Sequence, residues 1–279
     1  MKFESDFRID KIIDAALEED IGNGDITTAS IIDSPAKGKA RLIAKEEILL
    51  AGLEIFTRVL TRIDTDITVK WNFDDGDTVP RGHVIGTIAG SLQGILTGER
   101  TALNFLQHLS GIATLTRKYV EKIDPTKIRV VDTRKTTPGL RILEKYAVRV
   151  GGGFNHRLGL FDGILVKDNH IVAAGSITKA IQKVRETAPH TLKVEVEVED
   201  IRGLEEALTA GADIVLLDNM SLEDMKKAVL VAKGRVLLEA SGGVTLETVG
   251  EVVKTGVNLV SVGALTHSAR SVDISLEVD

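Results

Sequence analysis

The chain contains no cysteine among its 279 residues. That excludes disulfides, a thiolate nucleophile and any zinc site built on Cys ligands. Long apolar runs are missing as well: nothing approaches the ~20 residues that a membrane span requires. The opening Met1-Lys2-Phe3-Glu4-Ser5-Asp6 has no continuous apolar core of the kind a secretory leader carries, so a cytoplasmic location is expected. Positive charge is in deficit. With 35 Lys and Arg against 41 Asp and Glu, the formal net charge is −6, which argues against a general nucleic-acid coat. A strongly anionic ligand would need a local cluster of cations on this acidic background.

What is present is ordinary for a soluble globular protein: 43% hydrophobic residues, 27% charged residues and 26 Gly. The length admits one large barrel or two domains. The first hundred or so residues read as mixed α and β. Helical apolar spacing covers Ile9–Glu19, followed by the turn-rich Asp20-Ile21-Gly22-Asn23-Gly24-Asp25. Lys39–Ala44 and Ile48–Leu50 read as strands and Leu53–Ile63 as a helix. Residues 75–86 are similar to the hairpin of biotinyl and lipoyl modules, but the Met-Lys-Met attachment turn is missing, which favours a β-sandwich over a swinging arm. A long helix is predicted from Gly98 to about Val120, capped by Thr97 and burying Leu103, Leu106, Leu109, Ile112 and Leu115. Arg100 then falls in the first turn, where the helix dipole disfavours a cation; a surface pair with Glu99 is the simple explanation.

From residue 128 the rhythm changes. Strands predicted at Ile128–Val131, Gly163–Val166, Leu192–Val198, Asp213–Leu217, Val236–Leu238 and Leu259–Val262 alternate with helices at Leu140–Val150, Ser176–Thr187, Ile201–Ala210, Ser221–Ala232 and Thr245–Lys254. Repeated strand-helix units imply a parallel sheet with right-handed crossovers. Six units are too few for a standard eight-unit barrel.

The strand exits carry the chemistry. The run Val130-Val131-Asp132-Thr133-Arg134-Lys135-Thr136-Thr137-Pro138-Gly139 ends a β-branched stretch with adjacent cations, which no core buries unpaired, so it reads as a cradle for an anion. Other exits read Lys167-Asp168-Asn169-His170, Glu195 with Glu197, Asp218-Asn219, Glu239-Ala240-Ser241-Gly242-Gly243 and Gly263-Ala264-Leu265-Thr266-His267. In α/β barrels such ends converge on one face, and phosphates are commonly held by the last two strand loops. Ser241, Gly242, Gly243 and Gly263 therefore read as phosphate-holding amides, against the alternative of simple tight turns. Glu197 and Asp218, on neighbouring strands, suit either Mg2+ or sugar hydroxyls. Glu195 shares parity with Glu197, and two uncompensated acids in one barrel mouth would be costly. After Gly151-Gly152-Gly153 come Asn155-His156-Arg157; Arg149, in the last turn of its helix, reads as a dipole partner only.

Together the segments 98–104, 132–139, 151–157, 167–170, 195–197, 217–219, 239–243 and 261–268 resemble the quinolinate phosphoribosyltransferase family, and the likeness covers nearly the whole chain. The resemblance implies an α/β fold: an N-terminal α/β sandwich over residues 1–110, an incomplete parallel α/β barrel over 111–267, and a tail from about 268 to 279 that packs with the first domain. It implies phosphoribosyl transfer from phosphoribosyl pyrophosphate to quinolinate with decarboxylation, Mg2+ as cofactor, and a homodimer in which Arg100 reaches the partner's site. By the same resemblance Arg134, His156 and Arg157 grip quinolinate with Arg100, and Lys135 and Lys167 meet substrate and pyrophosphate. Glu197 and Asp218 bind ribose hydroxyls or Mg2+, and Ser241, Gly242, Gly243 and Gly263 hold the 5-phosphate with His267 nearby. Lys135, Glu197 and Asp218 are the catalytic candidates. The residues by themselves leave other readings open: a Schiff-base aldolase using Lys167 or Lys193, a non-catalytic sensor of phosphorylated metabolites, or a barrel paralogue acting on another acid.

Overall fold

The computed structural model describes residues 7–33, 35–124 and 128–279, so the stretch read for a leader, residues 1–6, lies outside the described residues. The chain divides into two compact units, one formed by Met1–Arg117, Thr137–Gly152 and Ala269–Asp279, the other by Lys118–Thr136 and Gly153–Ser268. The elements run α1 Phe7–Ile21, α2 Ile26–Ile31, β1 Lys37–Ala44, β2 Ile48–Leu49, α3 Leu53–Ile63, β3 Thr68–Trp71, β4 Thr78–Val79, β5 Val84–Ser91 and α4 Leu92–Val120. There follow β6 Arg129–Val131, α5 Arg141–Val150, β7 Ile164–Val166, α6 Asp168–Ala174, α7 Ile177–Thr187, β8 Val194–Val198 and α8 Ile201–Thr209. The rest is β9 Ile214–Asp218, α9 Leu222–Ala232, β10 Leu237–Ser241, α10 Val249–Val253, β11 Leu259–Ser261, α11 Ala264–His267 and β12 Ile274–Val278.

The first unit is built on an antiparallel sheet of order β12-β1-β5-β3. The alternation of β1 buries Ala40, Leu42 and Ala44 on one face, and α3 lays Ile55, Phe56, Val59 and Leu60 into the core. Asp75 fastens α3 by accepting from the Gly52 and Leu53 amides at 2.9 and 3.2 Å, and its other oxygen accepts from the Tyr146 hydroxyl at 2.5 Å. Helix α5 belongs here because His108 on α4 and the buried Glu144 meet at 2.8 Å, and Glu144 also accepts the Thr137 amide at 3.1 Å. The long helix begins six residues earlier than the sequence suggests: Thr97 is interior to α4, not its cap, and its hydroxyl meets Asp25 at 3.3 Å. Arg100 is therefore in mid-helix, where the dipole imposes no penalty, and Glu99 lies 4.0 Å from its guanidinium.

The second unit is a six-stranded sheet of order β6-β11-β10-β9-β8-β7, parallel at every pairing. All six strands lie where apolar runs predict them, since both faces are covered. Phe154 extends the β6 edge, its amide donating to Val130 at 2.8 Å and its carbonyl accepting from Asp132 at 3.1 Å. The chain then needs only ten residues to reach Ile164 on β7, the opposite edge, so residues 154–163 span the opening of an incomplete barrel. Helices on its outside start at side-chain caps: Ser176 accepts from Lys179, Asp200 from Gly203 and Ser221 from Asp224. Strand β10 runs three residues past its predicted end at Leu238, because Glu239, Ala240 and Ser241 continue the ladder with Leu216, Leu217 and Asp218.

In the first unit, Gly111 on α4 lies so close to the returning chain that an added Cβ would meet the Arg270 carbonyl oxygen at 2.1 Å. Gly111→Ala should therefore displace the segment leading to β12 and destabilise the protein by about 2 kcal/mol or more, read as a lowered midpoint in urea or heat. An unchanged midpoint would mean that this approach is easily relaxed.

Candidate active site

The C-terminal ends of the barrel strands bring most of the predicted residues onto one unit. At the exit of β6, Thr133 Oγ1 accepts the Lys135 amide at 3.0 Å and Thr266 Oγ1 donates to the Lys135 carbonyl at 2.7 Å, tying this loop to α11. A Cβ on Gly263 would sit 3.0 Å from Lys135 Cδ and 3.1 Å from His267 Nε2, so Gly263, Lys135 and His267 form one cluster. His267 Nδ1 meets Ser268 Oγ at 2.7 Å.

At the neighbouring exits, Lys167 Nζ pairs with Glu197 Oε2 at 2.8 Å, which links β7 to β8. Asp218 accepts from Asn219 Nδ2 at 2.9 Å, and the Asn219 amide donates to the Ser241 carbonyl at 2.9 Å. Asn219 occupies the left-handed region with φ +52°, and a side chain at Gly242 (φ +96°) would meet its Oδ1 at 2.1 Å. Gly242 is thus glycine for two reasons, backbone angle and lack of room.

The strand interior holds a second layer. Asp132, fully buried, accepts the His156 amide at 2.9 Å and Asn155 Nδ2 at 2.6 Å. The His156 ring accepts the Arg157 amide at Nδ1 (2.7 Å), so its proton sits on Nε2, which donates to Glu195 Oε2 at 2.9 Å. Glu239 Oε2 is 3.9 Å from the same nitrogen. Arg157 Nη1 donates to the Gly163 carbonyl at 3.0 Å; desolvation, and then the Arg134 charge, make its guanidinium less basic than usual. Two cations held near one another in a desolvated place attract a ligand of opposite charge.

Over residues 112–277 the chain matches the family model "Quinolinate phosphoribosyl transferase, C-terminal domain", and over 25–110 the corresponding N-terminal domain. The chain belongs to the quinolinate phosphoribosyl transferase family. It is 45% identical over 271 residues to a probable nicotinate-nucleotide pyrophosphorylase [carboxylating] of Bacillus subtilis, covering 97% of this chain and 93% of the relative. It is 39% identical over 292 residues to the mitochondrial quinolinate phosphoribosyltransferase [decarboxylating] 2b of Nicotiana tabacum, covering 98% and 83%. The crystal structure of NadC from Streptococcus pyogenes superposes with a TM-score of 0.94 at 48% identity, covering 98% of this chain and 97% of that one. The mixed α/β architecture expected from sequence is the one found.

Among the candidates of this family resemblance, Arg134, Lys135, His156, Arg157, Lys167, Glu197, Asp218, Ser241, Gly242, Gly243, Gly263 and His267 all fall in the barrel unit, whereas Arg100 is on α4 of the first unit with its side chain 63% exposed. Glu197 and Asp218 offer only oxygen, from strands paired Val198↔Leu217, and that donor set fits Mg2+. The ligand atoms of His156, Glu195 and Glu239 also lie within 4.8 Å of one another. That trio does not fit Mg2+, because it includes a ring nitrogen, and one that already carries a proton. Sequence reasoning underrated the interior acids Asp132, Glu195 and Glu239. For Glu195 the available signal was parity, an acid at every second position of the otherwise apolar β8.

Burial pushes the Glu239 carboxyl from its ordinary 4.5 up to about 7, with the Glu195 charge adding to the effect and His156 opposing it. The folded chain therefore keeps a proton that the unfolded chain releases. This contribution is complete below about pH 4.5 and is lost as pH rises through about 7. Glu239→Gln should remove that loss, so between about pH 5 and 8 its stability should fall less than the wild type's, by roughly 2–3 kcal/mol at most. Urea unfolding at both pH values measures this; parallel losses would mean that Glu239 does not titrate in that interval.

Proposed function

We propose that this chain transfers the phosphoribosyl group of phosphoribosyl pyrophosphate to the nitrogen of quinolinate, releasing pyrophosphate and CO2 and leaving nicotinate mononucleotide. The names of its relatives support the reaction, and the observation that carries it to this site is the desolvated Arg157 beside Arg134 at a rim that also bears Lys135 and Lys167. A diacid substrate and a multiply charged sugar phosphate each need cations, and a chain of net charge −6 supplies them here by concentrating them at one strand face.

In this reading Arg134 and Arg157 bind the quinolinate carboxylates together with Arg100 from the partner of a homodimer. His156 stands directly behind that pair. Lys135 and Lys167 draw charge toward the departing pyrophosphate, where negative charge develops in the transition state. The Gly242–Gly243 turn and Gly263, with Ser241 and His267 beside them, receive the 5-phosphate. Glu197 and Asp218 hold ribose hydroxyls or Mg2+, and the ion, when bound, neutralises leaving-group charge. Attack by the pyridine nitrogen on the sugar carbon is chiefly a matter of alignment, so no side-chain nucleophile is required. Once the nitrogen is quaternised, the ring accepts the electron pair left as the adjacent carboxylate departs as CO2, and a proton then replaces it.

An assay of CO2 and pyrophosphate release from quinolinate, phosphoribosyl pyrophosphate and Mg2+ tests the reading; no release from the folded protein would refute it. Arg134→Ala should weaken quinolinate binding by about 10-fold or more in calorimetry while leaving the unfolding midpoint unchanged, and undiminished affinity would remove it from the site. Lys135→Ala should lower kcat by about 100-fold or more, and near-normal turnover would show that it meets neither substrate nor leaving group.

A further inference from the structure

Beneath the strand exits, a cavity of about 390 Å³ is lined by inward side chains from all six barrel strands, among them Val131, Ile164, Ile214 and Leu259. Two of its walls are acidic. Glu195 is 4% exposed and Glu239 2% exposed, and Oε1 of each accepts no hydrogen bond among the described residues. Apolar side chains would fill such positions at far lower cost, so the contacts that the two acids do make matter.

Glu239 takes a hydrogen bond from Ser261 and faces the His156 ring, and Glu195 is bonded to that ring. Glu195 Oε2 accepts the His156 Nε2 proton, and on the far side of the same ring Nδ1 accepts the Arg157 amide. Asp132 holds the His156 amide. Both ring nitrogens are thereby spent within the chain, on an acid in the barrel interior and on the backbone of the next residue. Rotating the ring would break both bonds at once, and with them the placement of the Arg157 main chain. Glu239 Oε2 lies 3.9 Å from the same Nε2, so a second acid faces the bonded side of the ring.

We propose that Glu195, backed by Glu239, is a positioning residue for Arg157: it fixes the His156 ring, the ring fixes the Arg157 backbone, and the guanidinium is thereby aimed at the substrate diacid. This rests on the reading that Arg157 grips quinolinate. His156 acts here as a connector, and its ring is oriented by the barrel interior. Arg157 keeps its own side-chain bond to Gly163, so the chain of contacts sets where the guanidinium starts from and Gly163 sets where it ends.

The test uses steady-state kinetics of the whole protein. Glu195→Ala should raise KM for quinolinate about 10-fold or more, with kcat and KM for phosphoribosyl pyrophosphate within about 2-fold of wild type. Glu195→Gln, whose carbonyl still accepts the Nε2 proton, should recover most of that loss. In an Arg157→Ala background, Glu195→Ala should change kcat/KM for quinolinate by less than about 2-fold, since the two act through one path. Equal losses in both backgrounds, a Gln variant no better than Ala, or an effect confined to kcat would overturn the proposal. Nitrogen-15 NMR of the His156 ring adds a readout free of activity: a bare Nδ1 and protonated Nε2 in wild type, with that preference lost in Glu195→Ala. A wild-type ring protonated on Nδ1 overturns the proposal even if Glu195→Ala fails to fold. Wild-type protein that shows the expected ring but makes no nicotinate mononucleotide would instead defeat the activity reading alone.

Discussion

The barrel's business end depends on one imidazole being bonded at both nitrogens. His156 takes the Arg157 amide at one side and gives its proton to Glu195 at the other, while Asp132 holds its main chain. A buried acid alone is expensive, but it becomes economical when it accepts the proton of a ring that is itself fixed. The arrangement joins the end of β6 to the interiors of β8 and β10 through a loop that has no regular structure of its own. Residues 154–163 span the gap between the two sheet edges, and without such a lock a ten-residue connection would have many conformations to lose.

Electrostatics at the rim follows from the same economy. The chain is acidic overall, yet near its strand exits Lys167 is paired with Glu197 and the Arg157 guanidinium donates to the Gly163 carbonyl, while the Lys135 main chain is tied to α11. Desolvation, and then the Arg134 charge, make the Arg157 guanidinium less basic than usual. Under the proposed function, an incoming dianion would relieve that repulsion.

The alternation of apolar strands with amphipathic helices was legible because parallel strands covered on both faces leave near-continuous runs of Val, Ile and Leu. The helices expected from Ser176, Ile201 and Ser221 begin within a residue of those found, each behind a side-chain cap that the amphipathic pattern does not itself name. The start of α4 was illegible because Leu92–Leu96 continues without a break from β5 into the helix, and Gly94 and Gly98 look like breakers in a sequence. Both glycines sit in the helix because it packs too closely for side chains: a Cβ on Gly98 would meet Ile63 Cδ1 at 2.7 Å. The exit residues could be picked out by their position after apolar runs. The end of β10 could not, since Glu239 reads as polar and only its partners show it to be interior. Nor does any one-dimensional pattern reveal that the His156 ring is bonded at both nitrogens within the chain.

The sheet of the first unit carries a further implication for how the chain is made. Its strand β1 begins at Lys37, but one of the two partners of β1 is β12, which begins at Ile274, on the far side of the whole barrel. During synthesis β1 emerges early with one flank bare, and it must wait for more than 200 residues to be added before Ile274 can reach it. Over that interval the exposed edge offers unpaired amides and carbonyls to any neighbouring strand. Lys37, Lys39 and Arg41 lie on the exposed face of β1, Arg41 within the stretch that β12 covers, and charge of this kind discourages pairing with other chains.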